Sequence, residues 1–320
     1  MLRFRRGYEE NDNGAFRMIV WLVLAAAAVA LLVLGVAALY FADVLTRSKR
    51  RRVQGTPSLF GLRYDDVQFR SPDLTVLRGW FLDCPGGRAT VVVLHDCEGT
   101  RADLEVGLLQ LEREYLRLGY NVFAFDLRGR GESGGSRDRL GSAELSDVAT
   151  AVAYVRRRKG ELPIILHGFG LGGALAIQSV ANGLEVECVI ADSAFDSQRE
   201  HLRYIHSHIP APLFDAACWV ARRLYRSDVD ALQPIRAMSR VAPTPVFLIH
   251  GELDQEVPMA RTLNLAAASL SDRNDVWIVA EVGHCGAFRD DPDLYLRRCL
   301  AFLETAIPAR TMRIATAAAV

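Results

Sequence analysis

The sequence has no excess of charge of one sign that would suit a polyanionic partner. Its 320 residues include 38 basic and 38 acidic side chains, so the formal net charge is +0. A nucleic-acid-binding domain needs a positive field to hold the phosphate backbone, and this balance provides none. The composition therefore predicts no nucleic-acid partner.

The chain also lacks the short cysteine spacings of a zinc site or a disulfide scaffold. Its six cysteines are scattered, without a C-x-x-C pair. Three histidines lie close together at His201, His206 and His208, but their spacing does not place them on one helical face. The sequence predicts free thiols, no metal site and no cofactor.

One long hydrophobic run is present, because residues 18–41 contain no charged side chain. At about 1.5 Å per residue, a helix of this length crosses a hydrocarbon core of about 30 Å. The run exceeds the apolar core of a usual signal peptide, and no clear cleavage site follows it. The sequence predicts a single-pass membrane protein whose transmembrane helix contacts membrane lipid.

Basic residues flank this helix on both sides. Arginines occur in the polar segment 1–17, and a tighter group follows in a basic linker, residues 42–58. Because positive loops stay on the cytoplasmic side, the tighter group favours a cytoplasmic C-terminal domain. The run KRRR within the linker is interpreted as a solvated connection, as a patch that attracts anionic lipid, or as both.

After the linker, short apolar runs alternate with helical patterns. This alternation predicts an α/β domain over residues 59–307, with a mostly parallel sheet and helices on both faces. A long insertion at residues 198–226 predicts a helical lid, and residues 308–320 lack a periodic apolar face and are expected to form a flexible tail. The predicted strands are TVLRGWFLD, TVVVLHD, NVFAFD, PIILHG, ECVIAD, PVFLIHG and VWIVAE.

The stretch ILHGFGLGGALA fits two motifs. As G-x-G-x-x-G it is a dinucleotide-binding fingerprint, with Asp192 placed to bind a ribose. As G-x-G-x-G it is a nucleophile elbow with Gly170 at the position of the serine. The fingerprint normally follows the first strand of its domain, whereas several strands precede this one. The dinucleotide reading is therefore a remote alternative.

Two later loops supply the partners that an elbow needs. Asp254 follows a strand in HGELDQEVP, and His284 follows the next strand in EVGHCGAF. An acid and then a histidine, each after a later strand, is the chain order that accompanies a nucleophile elbow. Because parallel strands end at one edge of the sheet, these residues are expected to meet there.

With these motifs in order, the chain resembles the α/β-hydrolase superfamily, in particular membrane-anchored esterases and serine aminopeptidase-like members. LRGWFLD resembles an early strand of the family, and FDLRGRGESGG resembles its D-x-R-G-x-G-x-S loop. The resemblance covers roughly residues 59–306. It implies an α/β-hydrolase fold, a small-molecule, acyl or peptide ligand, and hydrolysis of an ester, thioester or amide.

The resemblance assigns roles to particular residues. It implies that Asp254 is the catalytic acid, that His284 is the base, and that Gly170 occupies the nucleophile position. It further implies that the oxyanion hole uses backbone N–H groups at Cys97 and Leu171. Glycine has no side-chain atom that attacks a carbonyl, so the nucleophile position is vacant.

A second departure from the family lies after the strand TVVVL. There the family commonly has His-Gly, and this chain has His95-Asp96. A carboxylate at Asp96 would oppose the negative charge that develops in an oxyanion hole, unless it points away from the hole. The expectation is an impaired or unconventional hydrolase, and the alternative is an inactive pseudo-hydrolase that binds a ligand or partner.

Other nucleophiles remain open at this point. A water activated by His284 is one, and three side chains near the predicted site are others. These side chains are Cys97, Ser193 and Cys285.

Overall fold

The computed structural model describes residues 3–307, and within them eight strands form one sheet. The strands are β1 (Asp65–Arg70), β2 (Val76–Leu82), β3 (Thr90–Leu94), β4 (Asn121–Phe125), β5 (Ile164–Phe169), β6 (Cys188–Asp192), β7 (Val246–Gly251) and β8 (Asp275–Val279). Their order is β1-β2-β4-β3-β5-β6-β7-β8. Strand β2 runs antiparallel to both of its neighbours, β1 and β4, and strands β3 to β8 are parallel to one another. The predicted mostly parallel sheet is confirmed, while the tail 308–320 lies outside the described residues.

Helices cover both faces of this sheet. Along β3, Val92 packs in one core cluster while Val91 and Val93 pack in the other, because successive strand residues point to opposite faces. The helices are α1 (Arg3–Thr46), α2 (Leu108–Arg117), α3 (Glu144–Lys159), α4 (Leu171–Ala181), α5 (Gln198–Ile205), α6 (Ala211–Val220), α7 (Pro234–Ala237), α8 (Met259–Ala268), α9 (Ala287–Asp290) and α10 (Pro292–Ala306). Short 3₁₀ turns at Pro57–Phe60 and Met238–Arg240 and a π-helical turn at Ala221–Tyr225 complete them.

Strand β1 was not predicted from the sequence. Its segment DDVQFR is rich in polar residues, and only Val67 and Phe69 are buried. The strand lies at the edge of the sheet and pairs only with β2. Its buried and exposed residues alternate, so one of its faces contacts solvent. A half-exposed edge strand gives a weak hydrophobic signal, which explains the omission.

The first helix extends beyond the predicted transmembrane segment, residues 18–41. At its C-terminal end, α1 continues to Thr46. Its part from Gly14 to Thr46 is long and apolar enough to cross a membrane, with a mean hydropathy of 2.9 in its most apolar window. Near its C-terminal end, however, Ala38, Ala42 and Leu45 are buried. They pack against the helical insertion between β6 and β7, which is the predicted lid. The end of α1 is thus part of the folded domain.

The basic linker is held on the domain surface. The Arg50 guanidinium donates to the carbonyl oxygens of Gly131 and Ser133 at 2.8 and 2.7 Å. Arg51 pairs with Glu98 at 3.1 Å. These contacts attach the linker to the domain while Arg50 and Arg51 remain exposed to solvent, so the interpretation as a solvated connection stays a prediction.

Enlarging Ala42 should loosen the junction between α1 and the lid. Ala42 is 0% exposed, so Ala42→Leu inserts atoms into filled space and should lower the stability by about 1–3 kcal/mol. Val36 is 58% exposed, and Val36→Leu in the same helix should change nothing. Thermal unfolding of the full chain in detergent measures both, and equal melting temperatures for the two variants would contradict the packing described.

Candidate active site

Four loops meet at the C-terminal edge of the parallel strands. Asp96 follows β3, Gly170 lies between β5 and α4, Asp254 follows β7, and His284 follows β8. The structure therefore brings the predicted acid, base and nucleophile position together. It also adds Asp96 to this group.

The acid and the base form a well-defined pair. The His284 Nδ1 atom lies 2.7 Å from an Asp254 carboxylate oxygen. The other oxygen of Asp254 accepts hydrogen bonds from the backbone N–H groups of Glu256 at 2.9 Å and Val257 at 2.8 Å. These backbone donors fix the carboxylate, and the carboxylate in turn fixes the imidazole.

Gly170 has the backbone conformation of a sharp strand-to-helix turn. Its φ is 49° and its ψ is −111°, and its N–H donates to the Asp192 carbonyl oxygen at 2.8 Å. A residue with a Cβ is strained at such a positive φ, at a cost on the order of 1–3 kcal/mol. Glycine adopts this turn without that cost. The elbow geometry is thus present without an elbow side chain.

The dinucleotide alternative is not supported at this glycine run. A Cβ on Gly172 would overlap the backbone of Leu94, so this glycine serves the close packing of α4 on β3. Asp192 is 0% exposed and accepts hydrogen bonds from Tyr295 at 3.1 Å and from Ser193 at 3.0 Å. A carboxylate buried and paired in this way does not reach a ribose.

Asp96 points into the site, so its charge does oppose an oxyanion there. One of its carboxylate oxygens accepts the Leu171 backbone N–H at 2.7 Å, and the other lies 3.4 Å from His284 Nε2. A Cβ on Gly170 would overlap the first of these oxygens. The carboxylate from the β3 loop therefore fills the space into which a side chain at the elbow would extend.

This contact joins two observations that look independent in the sequence. Glycine at 170 makes room for Asp96, and Asp96 leaves no room for a side chain at 170. Asp96 also takes the backbone N–H of Leu171, which is the predicted oxyanion-hole donor. Reading the two departures as a reciprocal pair is the signal that would have revealed this arrangement from the sequence.

The charges of the site stabilise one another. Burial opposes the charged imidazole, yet Cys285, Asp254 and Asp96 raise the pKa of His284 above its ordinary value. Because burial raises the pKa of the Cys285 thiol to about 12, the two carboxylates produce this effect near neutral pH. Burial would likewise raise the pKa of Asp96, but His284 and nearby backbone N–H groups hold it well below its usual range. The two carboxylates therefore favour the imidazolium form of His284.

Two of the other candidate nucleophiles, Ser193 and Cys97, are engaged by groups other than His284. The Ser193 hydroxyl donates to Asp192 and accepts from the Cys285 backbone N–H at 3.0 Å, so it is engaged away from His284. Burial raises the pKa of the Cys97 thiol well above its ordinary value, and its Sγ lies 3.6 Å from an Asp96 oxygen. These side chains are protonated or already paired.

The loop FDLRGRGESGG has a supporting role. Asp126 is 0% exposed, and its carboxylate pairs with Arg101 and accepts the Glu132 backbone N–H at 2.8 Å. Arg128 pairs with the buried Asp147 at 2.6 Å. These contacts fix the shape of the loop beside the site, and they involve none of the predicted catalytic residues.

A cavity of about 130 Å³ lies between the site, the lid and α1. Cys97 and Leu171 form its floor, and the end of α1 contributes Val44 and Leu45. On the lid side, the ring of His201 stacks on Phe195, with ring centroids 4.6 Å apart. The cavity thus lies between Cys97 and Leu171, the predicted oxyanion-hole residues, and the end of the membrane-spanning candidate helix.

Three side chains of this site carry the donor types of a metal ligand set. Ligand atoms of Asp96, Glu256 and His284 lie within 4.8 Å of one another. A metal binds the neutral imidazole, whereas His284 lies between two carboxylates that favour its protonated form. The Asp96–His284 pair thus competes with a cation at this position.

Comparison with known proteins identifies one matching family and several similar proteins. Residues 91–298 match the model of the alpha/beta hydrolase family. The protein YfhR of Salmonella typhi is 26% identical over 265 residues, which cover 77% of this chain and 83% of that protein. The lysophosphatidylserine lipase ABHD12 of Gallus gallus is 33% identical over 208 residues, covering 61% of this chain and 52% of that protein.

A solved structure has the same fold. The Pyrococcus furiosus esterase Pf2001 superimposes with a TM-score of 0.67 at 23% sequence identity, covering 82% of this chain and 99% of that chain. At this identity the likeness establishes the α/β-hydrolase fold and nothing about the substrate.

Neutralising Asp96 should lower the pKa of His284. With its pKa raised, His284 stays protonated as the pH rises past the ordinary value of about 6.5. The stability that this protonation contributes is complete below about pH 6.5 and is lost as the pH rises through the raised pKa. In Asp96→Asn one carboxylate charge is gone, so the neutral imidazole should form at lower pH.

Nitrogen NMR of the histidine rings measures this shift, with the His284 signal assigned by its loss in His284→Gln. The exposed Asp272 provides a control, because Asp272→Asn should leave the titration unchanged. The same pKa in wild type and Asp96→Asn would rule out the charge coupling.

Proposed function

The chain belongs to the alpha/beta hydrolase family, and we propose that it is a membrane-anchored member of the ester, thioester and amide hydrolase type whose acyl transfer is impaired. One observation carries this proposal. The Asp96 carboxylate occupies the space of the elbow side chain and accepts the Leu171 N–H that would bind an oxyanion. The position of the nucleophile and part of the oxyanion hole are therefore both taken.

The expected loss of activity is large. Removing the nucleophile of a serine protease costs about 10⁶ in turnover, and removing one oxyanion-hole donor costs about 10²–10³. An acyl substrate at this site meets both deficits, since its carbonyl oxygen competes with Asp96 for the Leu171 N–H. The two carboxylates beside His284 also favour its imidazolium form, which cannot accept a proton.

The cavity favours an amphiphilic ligand with an acyl or alkyl chain. Its walls include Val44 and Leu45 from α1 and Leu202 from the lid. A ligand in the bilayer beside α1 would have a short path to such an apolar wall. A relative named as a lysophosphatidylserine lipase supports a lipid as the ligand class.

Membrane anchoring through α1 is part of the same proposal. The helix has no charged side chain between Met18 and Phe41, and 0% of its most apolar window is buried. We place the folded domain on the cytoplasmic side, as the tighter basic group after the helix favours.

A second candidate function follows from the same occupied site. If the carboxylate never leaves the oxyanion hole, the protein binds its ligand without chemistry and is a pseudo-hydrolase. The intact Asp254–His284 pair, with its 2.7 Å hydrogen bond, favours residual hydrolysis over this alternative.

Exchanging the two reciprocal residues should restore serine-type reactivity. In Asp96→Gly/Gly170→Ser, the hydroxyl gains the space that the carboxylate leaves, and His284 loses one flanking charge and becomes available as a base. The double variant should therefore be labelled by a serine-directed fluorophosphonate. Gly170→Ser alone should not be labelled, because its side chain overlaps Asp96.

Gel fluorescence of the labelled full chain in detergent measures this result. A triple variant that adds His284→Ala is the control and should lose the label. Equal labelling of Gly170→Ser and the double variant would show that Asp96 does not block the elbow, and a folded double variant without label would contradict the proposal.

Hydrolysis of p-nitrophenyl octanoate should separate the two candidate functions. We expect a slow wild-type rate that falls further in His284→Ala, and a rate in the double variant that is about 10³-fold or more above wild type. Identical rates in wild type and His284→Ala would instead favour the pseudo-hydrolase.

A further inference from the structure

The basic linker is tied to the loop that follows β3. Lys49 Nζ lies 2.5 Å from one carboxylate oxygen of Glu98, and a guanidinium nitrogen of Arg51 lies 3.1 Å from the other. These two ion pairs form what we call the linker clamp. Glu98 follows Asp96 by two residues in the same loop. The segment that leaves the membrane-spanning candidate helix therefore holds the loop whose carboxylate accepts the Leu171 N–H.

A second contact joins the same two segments. The buried Arg130 guanidinium donates to the Ser48 hydroxyl at 3.0 Å and also to the Cys97 carbonyl oxygen. Ser48 lies in the linker, and Cys97 lies between Asp96 and Glu98. Two successive residues of the loop are thus connected to the linker, one by ion pairs at the surface and one through a buried guanidinium.

We propose that an anionic lipid bilayer regulates the site by competing with Glu98 for Lys49 and Arg51. When lipid headgroups bind these two cations, the clamp opens, and the loop is free to withdraw Asp96 from the Leu171 N–H. That donor then becomes available to a substrate oxyanion. The inference rests on the membrane anchoring that is part of the proposed function.

The clamp lies close to the end of the helix that would cross the bilayer. Helix α1 ends at Thr46, and three residues of chain extend at most about 11 Å, so Lys49 lies within that distance of the helix end. Exposed charges act over about 8 Å at physiological salt, and an anionic leaflet attracts basic side chains within such a distance. Five of the six residues 47–52 are basic. The segment thus carries the charge that complements an anionic surface.

The two ion pairs are of a kind that a bilayer can displace. The side chains of Lys49 and Arg51 are 69% and 47% exposed. Exposed ion pairs contribute little stability, because water and salt screen them. Arg50, which lies between the two cations, donates instead to three backbone carbonyl oxygens. Because these partners are uncharged and belong to another loop, Arg50 keeps the linker attached to the domain while the clamp opens.

Opening the clamp should also move the loop. Burial opposes the charged form of Glu98, yet Lys49 and Arg51 hold its pKa below the ordinary value. Without these partners, the partly buried carboxylate gains by moving into water. Glu98 and Asp96 are separated by a single residue, so a displacement of one backbone position is transmitted to the other.

The partly exposed Cys97 thiol provides a direct measure of this loop. The full chain in lipid nanodiscs is treated with N-ethylmaleimide, and peptide mass spectrometry gives the rate at Cys97 relative to Cys84. Cys84 is also partly exposed, but it follows β2, whose antiparallel direction places it at the opposite edge of the sheet. Adding phosphatidylserine to phosphatidylcholine discs should raise the relative rate about fivefold. The lower pH beside an anionic surface by itself slows thiol reactions, so an acceleration reports exposure of the loop.

Variants of the clamp separate it from a general effect of charge. Glu98→Gln should react rapidly in both kinds of disc, and so should Lys49→Gln/Arg51→Gln. Glu105→Gln is the matched control, because Glu105 pairs with the same Arg51 at 3.3 Å but lies outside the loop that carries Asp96. It should retain the lipid dependence of the wild type.

A wild-type rate that is the same in both kinds of disc overturns the proposal, and so does a lipid dependence that persists in Glu98→Gln. The soluble headgroup glycerophosphoserine, added to phosphatidylcholine discs, should have no effect. An equal acceleration by it would assign the site to a free anion and would also overturn the proposal. Incorporation into the discs checks the anchoring, and fluorophosphonate labelling of the Asp96→Gly/Gly170→Ser variant in detergent is read separately. Failure of the clamp is therefore distinguishable from failure of the proposed function.

Discussion

The site is organised by a mutual exclusion between a carboxylate and a Cβ. Asp96 and a side chain at residue 170 would occupy the same volume at the end of β5, and this chain places the side chain on the β3 loop instead. The turn at Gly170 is then free of strain, the Leu171 N–H is bound from within the protein, and His284 faces a charge instead of a hydroxyl. All three features follow because the β3 loop, and not residue 170, supplies the side chain that fills this volume.

The charge state of His284 shows how far the consequences extend. A histidine that serves as a base must be neutral at rest, and one carboxylate on its Nδ1 leaves it so. Here Asp254 and Asp96 face opposite nitrogens of the ring, and together they favour the imidazolium. The acid and base of an elbow site are therefore both present, yet Asp96 determines whether His284 acts as a base or belongs to a stable ion pair. Motif order identifies the residues and does not determine their protonation.

Much of the fold follows from the sequence, because buried parallel strands such as TVVVL and PIILHG are continuous apolar runs between turn signals. The meeting of Gly170, Asp254 and His284 follows as well, since each residue comes directly after a strand of a parallel sheet. The orientation of Asp96 does not follow, because it depends on a contact of 2.7 Å with a backbone N–H that is distant in the chain. The burial of Ala42 is equally unpredictable, since the sequence places Ala42 at the start of the basic linker and gives no sign that the helix continues there and packs against the lid.

Helix α1 joins the segment that is long and apolar enough to cross a membrane to the wall of the cavity beside the site. From Ala38 onward it is part of the core under the lid, and Val44 and Leu45 form part of the cavity wall. At about 1.5 Å per residue, the segment from residue 38 to Thr46 contributes about 12 Å of helix to the folded domain. A fragment that begins after the helix would lose this wall and expose the apolar residues beneath it. The cavity is thus a property of the full chain, and its wall depends on the same helix that is long and apolar enough to cross a membrane.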